Sequence, residues 1–343
     1  MKKFVTLREA EKFCQKKSNK KIFNWVQSGA EDNYTYEKNF SDLLKIQIKP
    51  SHLSSVKNVD LNTNFFNNRI SSPIFLSPMG HQTQFHKNGE IEMGKGIENI
   101  NSIAFFSTQG RISLDDIRKK NKKLKIGWTI FPFGDKKWIK DEVLSAVKNK
   151  CVAIAICVDA NVRSHRYNDR ESRYDARTKG RRTNPLPPNP KLALKYNWKL
   201  ISYVKKLTKI PIIVKGILTA EDANNAIRHG CDGIWISNHG GRMFNSGIST
   251  VDAIIEINKK IKNKKIKIIV DGGIRKGSDI IKFLCLGADF VGIGRPAVHG
   301  LMYEGSTGVS DIFKILNSEL KTCLINGGFK NKISFNKKRL NLS

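Results

Sequence analysis

Eight short apolar segments recur from residue 73 onward, and their spacing constrains the fold more than any other feature of the sequence. Each is rich in β-branched residues, ends in small or polar residues and is followed by a stretch with helical spacing. The segments are residues 73–78, 103–108, 126–131, 152–159, 211–216, 233–238, 266–271 and 290–294. Apolar runs without alternation are typical of a parallel sheet covered on both faces. The pattern therefore predicts eight parallel strands with helical crossovers.

The stretches between these segments carry signals for the start and the end of helices. Thr219-Ala-Glu-Asp222 resembles a capping box, and Gly230 stands where the following helix would stop. A second helical segment, 278–286, ends at Gly287 in the same way. Eight β/α units in sequence predict a (β/α)8 TIM barrel rather than an open sheet.

The rest of the chain is interpreted as extensions and loops on one domain, 1–343, because no linker composition divides it. Residues 1–70 form an N-terminal extension with a helical region over 6–29. The loop after strand 4, residues 161–197, is rich in Arg, Asn and Pro and is either a lid or a disordered segment. A closing helix is expected over 309–324, and the basic tail 330–343 is expected to be frayed.

The chain is strongly basic, with 61 Lys and Arg against 30 Asp and Glu and a formal net charge of +31. Lys and Asn are in excess along the whole length, which indicates a compositional bias rather than a local surface for nucleic acid. A hydrophobic content of 39% excludes a disordered or fibrous chain. The charge indicates the sign of a partner and not its identity; with the site residues considered below, we expect a small-molecule anionic substrate and no nucleic acid as partner.

Six cysteines lie far apart, with no C-x-x-C pair and no His spaced to complete a zinc site. Neither a disulfide framework nor a metal is therefore expected, and the cysteines are interpreted as core residues. The N-terminus has no apolar signal segment, and no run of 18 apolar residues occurs, so no transmembrane segment is expected. These features together indicate a cytoplasmic protein.

In a TIM barrel the active site lies at the carboxyl ends of the strands, so the polar residues that end the segments are the candidates. They are Ser77, Ser107, Thr108, Thr129, Asp159, Lys215, Asn238, His239, Arg242, Asp271, Gly272, Gly273, Arg275, Gly294 and Arg295. Cations and glycines dominate this set, which favours an anionic ligand.

Two glycine and arginine clusters on neighbouring strands indicate a phosphate site. Gly272-Gly273-Ile-Arg275 and Gly292-Ile-Gly294-Arg295-Pro296 end the last two segments, where TIM barrels commonly bind phosphate. A Rossmann site is disfavoured because Gly292-x-Gly294 is followed by Pro296 and not by the third glycine of the dinucleotide-binding motif. A phosphorylated cofactor or substrate is therefore expected.

The segment Ser237-Asn-His-Gly-Gly-Arg242 can place a general base beside a guanidinium that grips a carboxylate. Lys215, which closes the fifth segment, is either a Schiff-base lysine or a fixed cation beside an anionic ring. Residue types alone leave these two roles for the lysine open.

Several blocks in order, including Ser28-Gly-Ala-Glu-Asp32, residues 73–86, 214–223, Ser237 to Arg242 and 270–296, resemble one known family. The chain resembles the FMN-dependent 2-hydroxy-acid oxidase and dehydrogenase family, which includes glycolate oxidase and lactate oxidase, over nearly its whole length. The resemblance implies FMN as cofactor and oxidation of a 2-hydroxy acid to the 2-oxo acid, by hydride transfer or through a carbanion. It also implies a homotetramer or a larger homo-oligomer.

On matching positions, the resemblance implies His239 as catalytic base, oriented by Asp159, and Arg166 with Arg242 as binders of the substrate carboxylate. Lys215 would stabilise the negative charge of reduced flavin. The flavin, its ribityl chain and its phosphate would be held by Ser77, Pro78, Met79, Gly80, Ser107, Thr129, Asp271, Gly273, Arg275, Gly294 and Arg295.

The chain departs from the family pattern in the substrate pocket. Trp25 and Phe131 replace two tyrosines, and Thr129 replaces a common Gln. Each lost hydroxyl would cost roughly 1–3 kcal/mol of transition-state stabilisation with a small hydroxy acid, so lactate and glycolate are disfavoured. Gly80, beside the position of flavin N5, does not decide between oxidase, dehydrogenase and monooxygenase.

An alternative is an FMN-dependent oxidase or oxygenase that tailors a bulkier substrate carried on an acidic protein. The loop after strand 4 would attract such a carrier through its basic side chains. Those side chains are Arg163, Arg170, Arg173, Arg177, Lys179, Arg181 and Arg182. The same charges are equally consistent with a solvated loop face.

Overall fold

A closed barrel of eight parallel strands forms the centre of the molecule, of which the computed structural model describes residues 3–175, 180–261, 265–330 and 335–342. The strands are β1 (Ile46–Ile48), β2 (Thr63–Phe65), β3 (Asn68–Ile70), β4 (Ile74–Leu76), β5 (Ile103–Ser107), β6 (Lys125–Ile130), β7 (Ala153–Cys157), β8 (Ile212–Ile217), β9 (Gly233–Ile236), β10 (Lys267–Val270), β11 (Phe290–Ile293) and β12 (Leu340–Leu342). Strands β4 to β11 close the barrel in the order β10-β11-β4-β5-β6-β7-β8-β9. Each of the eight predicted segments overlaps one of these strands, and the predicted TIM barrel is confirmed.

Helices follow the barrel strands and cover them. The helices are α1 (Leu7–Lys17), α2 (Lys20–Gln27), α3 (Tyr34–Lys45), α4 (Gly89–Glu98), α5 (Leu114–Lys120), α6 (Lys136–Lys148), α7 (Tyr167–Glu171), α8 (Lys199–Leu207), α9 (Ala220–Arg228), α10 (Thr250–Lys260), α11 (Gly277–Cys285) and α12 (Arg295–Gly327). Thr219 caps α9 by accepting a hydrogen bond from the Asp222 amide at 3.1 Å, as its sequence signal predicts. Beyond α11 the chain turns at Gly287, whose φ is +103°.

Alternate residues of the barrel strands fill the interior with large apolar side chains. The hairpin of β2 and β3 adds Phe65, whose ring centre lies 4.9 Å from that of Phe290 and 5.8 Å from that of Phe75. Phe65 is completely buried. Since Phe290 is the first residue of β11, the hairpin closes the amino-terminal end of the barrel and leaves the carboxyl end for the site.

Outside the barrel, the structure refines three parts of the sequence interpretation. The predicted helical region over 6–29 is present and consists of two helices, α1 and α2, because Asn19 caps the second through the Lys21 amide at 2.9 Å. The closing helix is longer than 309–324 and spans α12, with a break at Glu304 and Gly305.

The third part is the tail, which was expected to be frayed; this expectation is wrong for its described end, which is ordered by pairing. Strand β12 pairs antiparallel with β1, and Leu340 is 4% exposed. The guanidinium of Arg339 lies 4.1 Å from the ring centre of Phe329, and its Nε donates to the Lys49 carbonyl at 3.1 Å. The C-terminal residues therefore hold the N-terminal extension in place. Within the described ranges, no helix combines the length and the hydropathy needed to cross a membrane.

Candidate active site

A ring of small and polar side chains forms the floor of the open barrel mouth. Six of its seven members lie two positions after an apolar residue of the interior cluster, and Thr129 lies two positions after Gly127 on β6, so strand alternation points them inward. All members are less than 9% exposed, and they are Ser77, Ser107, Thr129, Cys157, Lys215, Ser237 and Asp271. Five of the seven are among the predicted cofactor contacts; the structure adds Cys157 and the side chain of Ser237.

One side of this floor is a continuous hydrogen-bond network around Lys215. Lys215 Nζ donates to Ser237 Oγ at 2.5 Å and lies 3.3 Å from Asp271 Oδ2. Ser237 Oγ donates to Asp271 Oδ1 at 2.6 Å, and Ser77 Oγ donates to Asp271 Oδ2 at 3.2 Å. Burial works against the Lys215 cation, but Asp271 and Asp159 outweigh it and raise the pKa of Lys215. A protonated lysine fits the role of fixed cation, because a Schiff base requires the neutral amine.

The loop after β9 brings His239 onto Asp159. His239 Nδ1 lies 3.1 Å from Asp159 Oδ1 and 3.2 Å from Oδ2, so the carboxylate holds a proton on Nδ1 and leaves Nε2 as the basic nitrogen. Burial disfavours the Asp159 charge, but His239 and Lys215 overcome this effect and lower the pKa of Asp159 to about 2. Gly216 (φ +107°) makes room, since a Cβ there would lie 2.6 Å from the Asp159 Cβ. The arrangement is that of a general base with an orienting carboxylate.

Arg242 follows His239 in the same loop, and its Nη2 is a hydrogen-bond donor without a partner in the described chain. Its Nη1 donates to the carbonyl oxygens of Trp25, Val26 and Ser28 at 2.9 to 3.1 Å. Its Nη2 is buried and has no hydrogen-bond partner within the described chain. Burial, followed by repulsion from Arg166 and Arg295, lowers the pKa of Arg242 well below its ordinary value. An anion bound at Nη2 would relieve both the desolvation and the repulsion.

Arg166 approaches Arg242 from the loop after β7. Arg166 Nη1 forms an ion pair with Asp169 at 3.4 Å, and its Nε donates to Ser164 Oγ at 3.3 Å. Asp169 also accepts from Ser28 Oγ at 2.9 Å, which ties this loop to the end of α2. The two arginines predicted to bind a carboxylate therefore lie close enough to repel each other.

The predicted phosphate clusters lie at the start of α12 and beside α3. Arg275 Nη1 donates to the Ile274 carbonyl at 2.9 Å, while Nη2 is buried without a partner among the described residues. Gly294 precedes α12, and in the first turn of that helix Pro296 has no N–H and the Ala297 amide donates to the Gly294 carbonyl at 2.9 Å, which leaves the Arg295 amide to meet an anion. The donor set fits a phosphate. Gly273 (φ +77°) packs against the Asn39 carbonyl, where a Cβ would lie at 2.7 Å.

Arg295 lies beside the same cluster, but its side chain is engaged with the backbone. Its guanidinium donates to the carbonyl oxygens of Val26, Ser28 and Gly240 at 2.8 to 3.1 Å. Burial is the main cause that lowers the pKa of Arg295 to about 10. Of the donors of Arg295, the backbone N–H at the start of α12 is therefore the one left to meet an anion.

Two further buried polar atoms lie on β6 and just after β5. Thr129 Oγ1 and Gln109 Nε2 have no partner in the described chain. Gln109 borders Gly80, since a Cβ on Gly80 would lie 3.4 Å from the Gln109 carbonyl oxygen, and Met79 Sδ lies 3.4 Å from a Cβ built on Gly294. Buried donors without partners are costly, so their presence here fits a polar cofactor such as FMN. Sequence reasoning missed Gln109, although it directly follows the segment 103–108.

Trp25 and Phe131 form two apolar walls at the mouth. The Trp25 ring lies under the Arg242 guanidinium at 4.7 Å and meets the rings of His81 and Phe85 at 5.9 Å. Phe131, 8% exposed, meets the His239 ring edge to face at 5.9 Å. Both residues therefore contact the groups that would bind and oxidise a substrate.

The loop after β7 crosses the mouth and is anchored to neighbouring loops. Asn184 Nδ2 donates to the carbonyls of Thr108 and Gly110 at 3.1 Å. Tyr174 Oη donates to Gln84 Oε1 at 2.9 Å. Its basic residues Arg163, Arg170, Arg173 and Arg181 are exposed and Arg182 is partly buried, whereas Arg177 and Lys179 lie outside the described residues. The described part of the loop packs on the barrel as a cover.

Comparisons with known proteins agree over nearly the whole chain. A family model described as FMN-dependent dehydrogenase matches residues 14–342. The chain is 30% identical over 336 residues to 2-hydroxyacid oxidase 2 of Rattus norvegicus, with 94% of each chain covered. It is 31% identical over 321 residues to L-lactate oxidase of Lentilactobacillus hilgardii, covering 90% of this chain and 86% of the relative. A structure of mandelate oxidase with 3,3-difluoro-2-hydroxy-3-phenylpropionic acid superposes with a TM-score of 0.91 at 26% identity and 98% coverage of both chains.

Proposed function

The chain belongs to the FMN-dependent dehydrogenase family, and from this premise we propose which of its residues carry the reaction. The reaction is the FMN-dependent oxidation of a 2-hydroxy acid at its CH–OH group to the 2-oxo acid. The observation that carries the assignment is the His239–Asp159 pair beside the unpartnered Nη2 of Arg242.

His239 acts as the base. Nε2 takes a proton from the substrate, and Asp159, kept ionised by its surroundings, stabilises the imidazolium that forms. Bound FMN supplies the acceptor for the two electrons of the Cα–H bond. Lys215 keeps a positive charge at the floor of the mouth, where it offsets negative charge that develops during oxidation.

The cofactor would be held by two groups of residues. The floor residues and the segment after β4 would line its ring and ribityl chain, and the glycine and arginine clusters would hold its phosphate. The first group is Ser77, Pro78, Met79, Gly80, Ser107, Thr129, Lys215 and Asp271, and the second is Gly273, Arg275, Gly294 and Arg295.

Arg242 and Arg166 bind the substrate carboxylate and thereby orient the α carbon toward the base. The pair is cationic and partly buried, and Arg242 has a donor free within the described chain. Binding of the carboxylate is therefore favoured by charge and by hydrogen bonding together.

The substrate is a 2-hydroxy acid with a bulky apolar side chain. Trp25 and Phe131 offer indole and phenyl surfaces where a tyrosine would offer a hydroxyl, and Phe133 and Met243 extend the wall behind Phe131. Apolar surface gains free energy by covering an apolar substituent, at about 25 cal/mol per Å². A methyl group or hydrogen, as in lactate or glycolate, would cover little of it.

Presentation of that substrate on an acidic carrier protein is a second proposal, supported by the exposed arginines of the loop after β7. Four of them, Arg163, Arg170, Arg173 and Arg181, are exposed beside the mouth. Binding to an acidic carrier would weaken steeply as salt is added, whereas oxidation of the free acid would change little.

We also propose that the protein is cytoplasmic and forms a homo-oligomer. All six cysteines are free, which supports the reducing environment of the cytoplasm. Exposed Tyr34 and Phe244, at 53% and 71%, support a homo-oligomer in which apolar surface is covered. Mass measurement in solution tests the assembly.

Anaerobic reduction of the flavin by 2-hydroxy acids tests the proposed function. The protein should bind FMN, and its visible absorption should bleach faster with an aryl-substituted acid such as mandelate than with lactate. His239→Ala should keep the flavin band but lose bleaching by at least about a thousandfold. His52→Ala, which changes an exposed histidine outside the site, is the matched control. Normal bleaching by His239→Ala would remove the assignment of the base.

A further inference from the structure

Cys157 donates a hydrogen bond to the carboxylate that orients the base. The thiol is 1% exposed, and its Sγ lies 2.9 Å from Asp159 Oδ1. That oxygen is the one 3.1 Å from His239 Nδ1. One carboxylate oxygen therefore accepts from a thiol on one side and from an imidazole on the other.

The backbone fixes this contact. Cys157 ends β7, and the Val158 amide still donates to the Lys215 carbonyl at 2.9 Å, so the chain stays extended to the next residue. Residues two apart on an extended strand share a face, which stacks the thiol beneath the carboxylate. The contact thus depends on strand geometry and not on a flexible loop.

The surroundings keep the thiol protonated and therefore a donor. Burial, with the Asp159 charge adding to it, raises the pKa of Cys157 well above its ordinary value. The other charged or titratable groups facing this point are Lys215 from β8 and His239 from the loop after β9. A buried, protonated thiol is a poor nucleophile, so a role in covalent chemistry is disfavoured.

Metal binding is the other use that the geometry suggests. Ligand atoms of Cys157, Asp159 and His239 lie within 4.8 Å of one another. A metal would have to displace the thiol proton and approach the Lys215 cation, which repels it. The observations therefore favour a hydrogen-bonding role.

We propose that Cys157 is a positioning residue that holds the Asp159 carboxylate against His239 Nδ1, so that Nε2 remains the basic nitrogen. This inference rests on the proposed function of the His239–Asp159 pair. A thiol is a weaker donor than a hydroxyl. It anchors the carboxylate while leaving most of the carboxylate charge for the imidazolium.

Two substitutions separate the effect of the Cys157 hydrogen-bond donor from the effect of its side-chain volume. Cys157→Ser keeps a donor on the same strand face, and Cys157→Ala removes it. We expect the rate constant of anaerobic flavin reduction to fall about tenfold to a hundredfold in Cys157→Ala and to recover at least partly in Cys157→Ser. KM should change little, because the substrate carboxylate is bound by the arginines. The pH profile of the reduction rate should shift in Cys157→Ala.

Control variants make the failures distinguishable. Cys231→Ala, a buried thiol just before β9 and outside the site, should leave rate, KM and pH profile unchanged. A flavin band of normal shape in each variant shows that the barrel mouth is intact. Wild-type rate and pH profile in Cys157→Ala, or equal loss in Cys157→Ser, would overturn the inference. If His239→Ala stays active as well, the proposed function itself fails.

Discussion

The guanidinium of Arg242 lies 4.7 Å from the centre of the Trp25 ring and donates to the carbonyl oxygen of the same residue at 2.9 Å. The face of the Arg242 guanidinium thus packs on the Trp25 ring, and its edge donates to the Trp25 backbone. This residue of the barrel mouth is therefore attached twice to one residue of the N-terminal extension. Arg295 adds bonds to Val26 and Ser28 at the end of α2. The extension therefore belongs to the proposed substrate site, although it lies outside the barrel.

Trp25→Ala should weaken substrate binding. The change removes the ring that packs on the Arg242 guanidinium and leaves only the backbone carbonyls to hold its geometry, so we expect KM to rise about tenfold. Trp25→Phe keeps a ring and should recover most of the affinity. Steady-state kinetics with an aryl-substituted 2-hydroxy acid measures both; equal KM values for Ala and wild type would contradict the role of the stack.

Phe131→Tyr should change which substrates are preferred. It adds a hydroxyl next to His239, whose ring lies 5.9 Å from that of Phe131. A new hydrogen bond to a polar transition state is worth roughly 1 kcal/mol, so kcat/KM for lactate should rise about fivefold. The ratio of kcat/KM for mandelate and lactate is the readout. Phe133→Tyr, two residues further along the same wall, serves as the comparison. An unchanged ratio in Phe131→Tyr would count against the proposed apolar wall.

Lys215→Met should destabilise the apoprotein as well as weaken FMN binding. It leaves the buried Asp271 carboxylate without its cation, 3.3 Å away, at a cost of about 3 kcal/mol in the free energy of unfolding. The double variant Lys215→Met with Asp271→Asn removes both charges and should regain most of that loss. Urea unfolding of the three apoproteins is the measurement. A Lys215→Met protein as stable as wild type would show that the ion pair contributes nothing.

His299 should make the protein sensitive to mild acid. Burial, then Arg275 and Arg295, lowers the pKa of His299 to about 3 from 6.5, and its side chain is 1% exposed. Between these values the unfolded chain binds a proton that the folded chain does not. Stability is therefore complete above pH 6.5 and falls as the pH drops, by about 2 kcal/mol at pH 5.

His299→Phe removes this titration while keeping a ring of similar size. The difference in free energy of unfolding between pH 7.5 and pH 5 should shrink by about 1–2 kcal/mol, measured with urea. The exposed His52→Phe is the matched variant and should keep the wild-type difference. An equal pH dependence in wild type and His299→Phe would be incompatible with a neutral buried imidazole.

The barrel could be predicted because its strands are apolar along their whole length and separated by helix signals. The residues that end those strands, such as Lys215 and His239, follow from the fold rule that places sites at the carboxyl ends. Contacts between distant segments could not be predicted. Asn19 splits the first helical region by capping α2, and β12 becomes ordered only because β1 lies beside it.

Buried polar residues were the other limit of prediction. Glu90 is completely buried and accepts from the Arg111 amide at 2.8 Å, a partner 21 residues away that no local pattern indicates. Cys157 was interpreted as a core residue, and its position two residues before Asp159 on one strand was the signal that could have revealed its contact. Burial of a polar group is set by tertiary packing, which a single sequence does not display.

The pairing of β1 with β12 links the N-terminal extension to the last described residues of the chain. Phe13 of α1 also packs on Tyr303 of α12, with ring centres 4.4 Å apart. The extension that bears Trp25 is thus held by segments that follow all eight barrel strands in the sequence. Because these contacts join residues far apart in the chain, forming them carries a large loop-closure entropy, and we expect them to form after neighbouring barrel strands have paired.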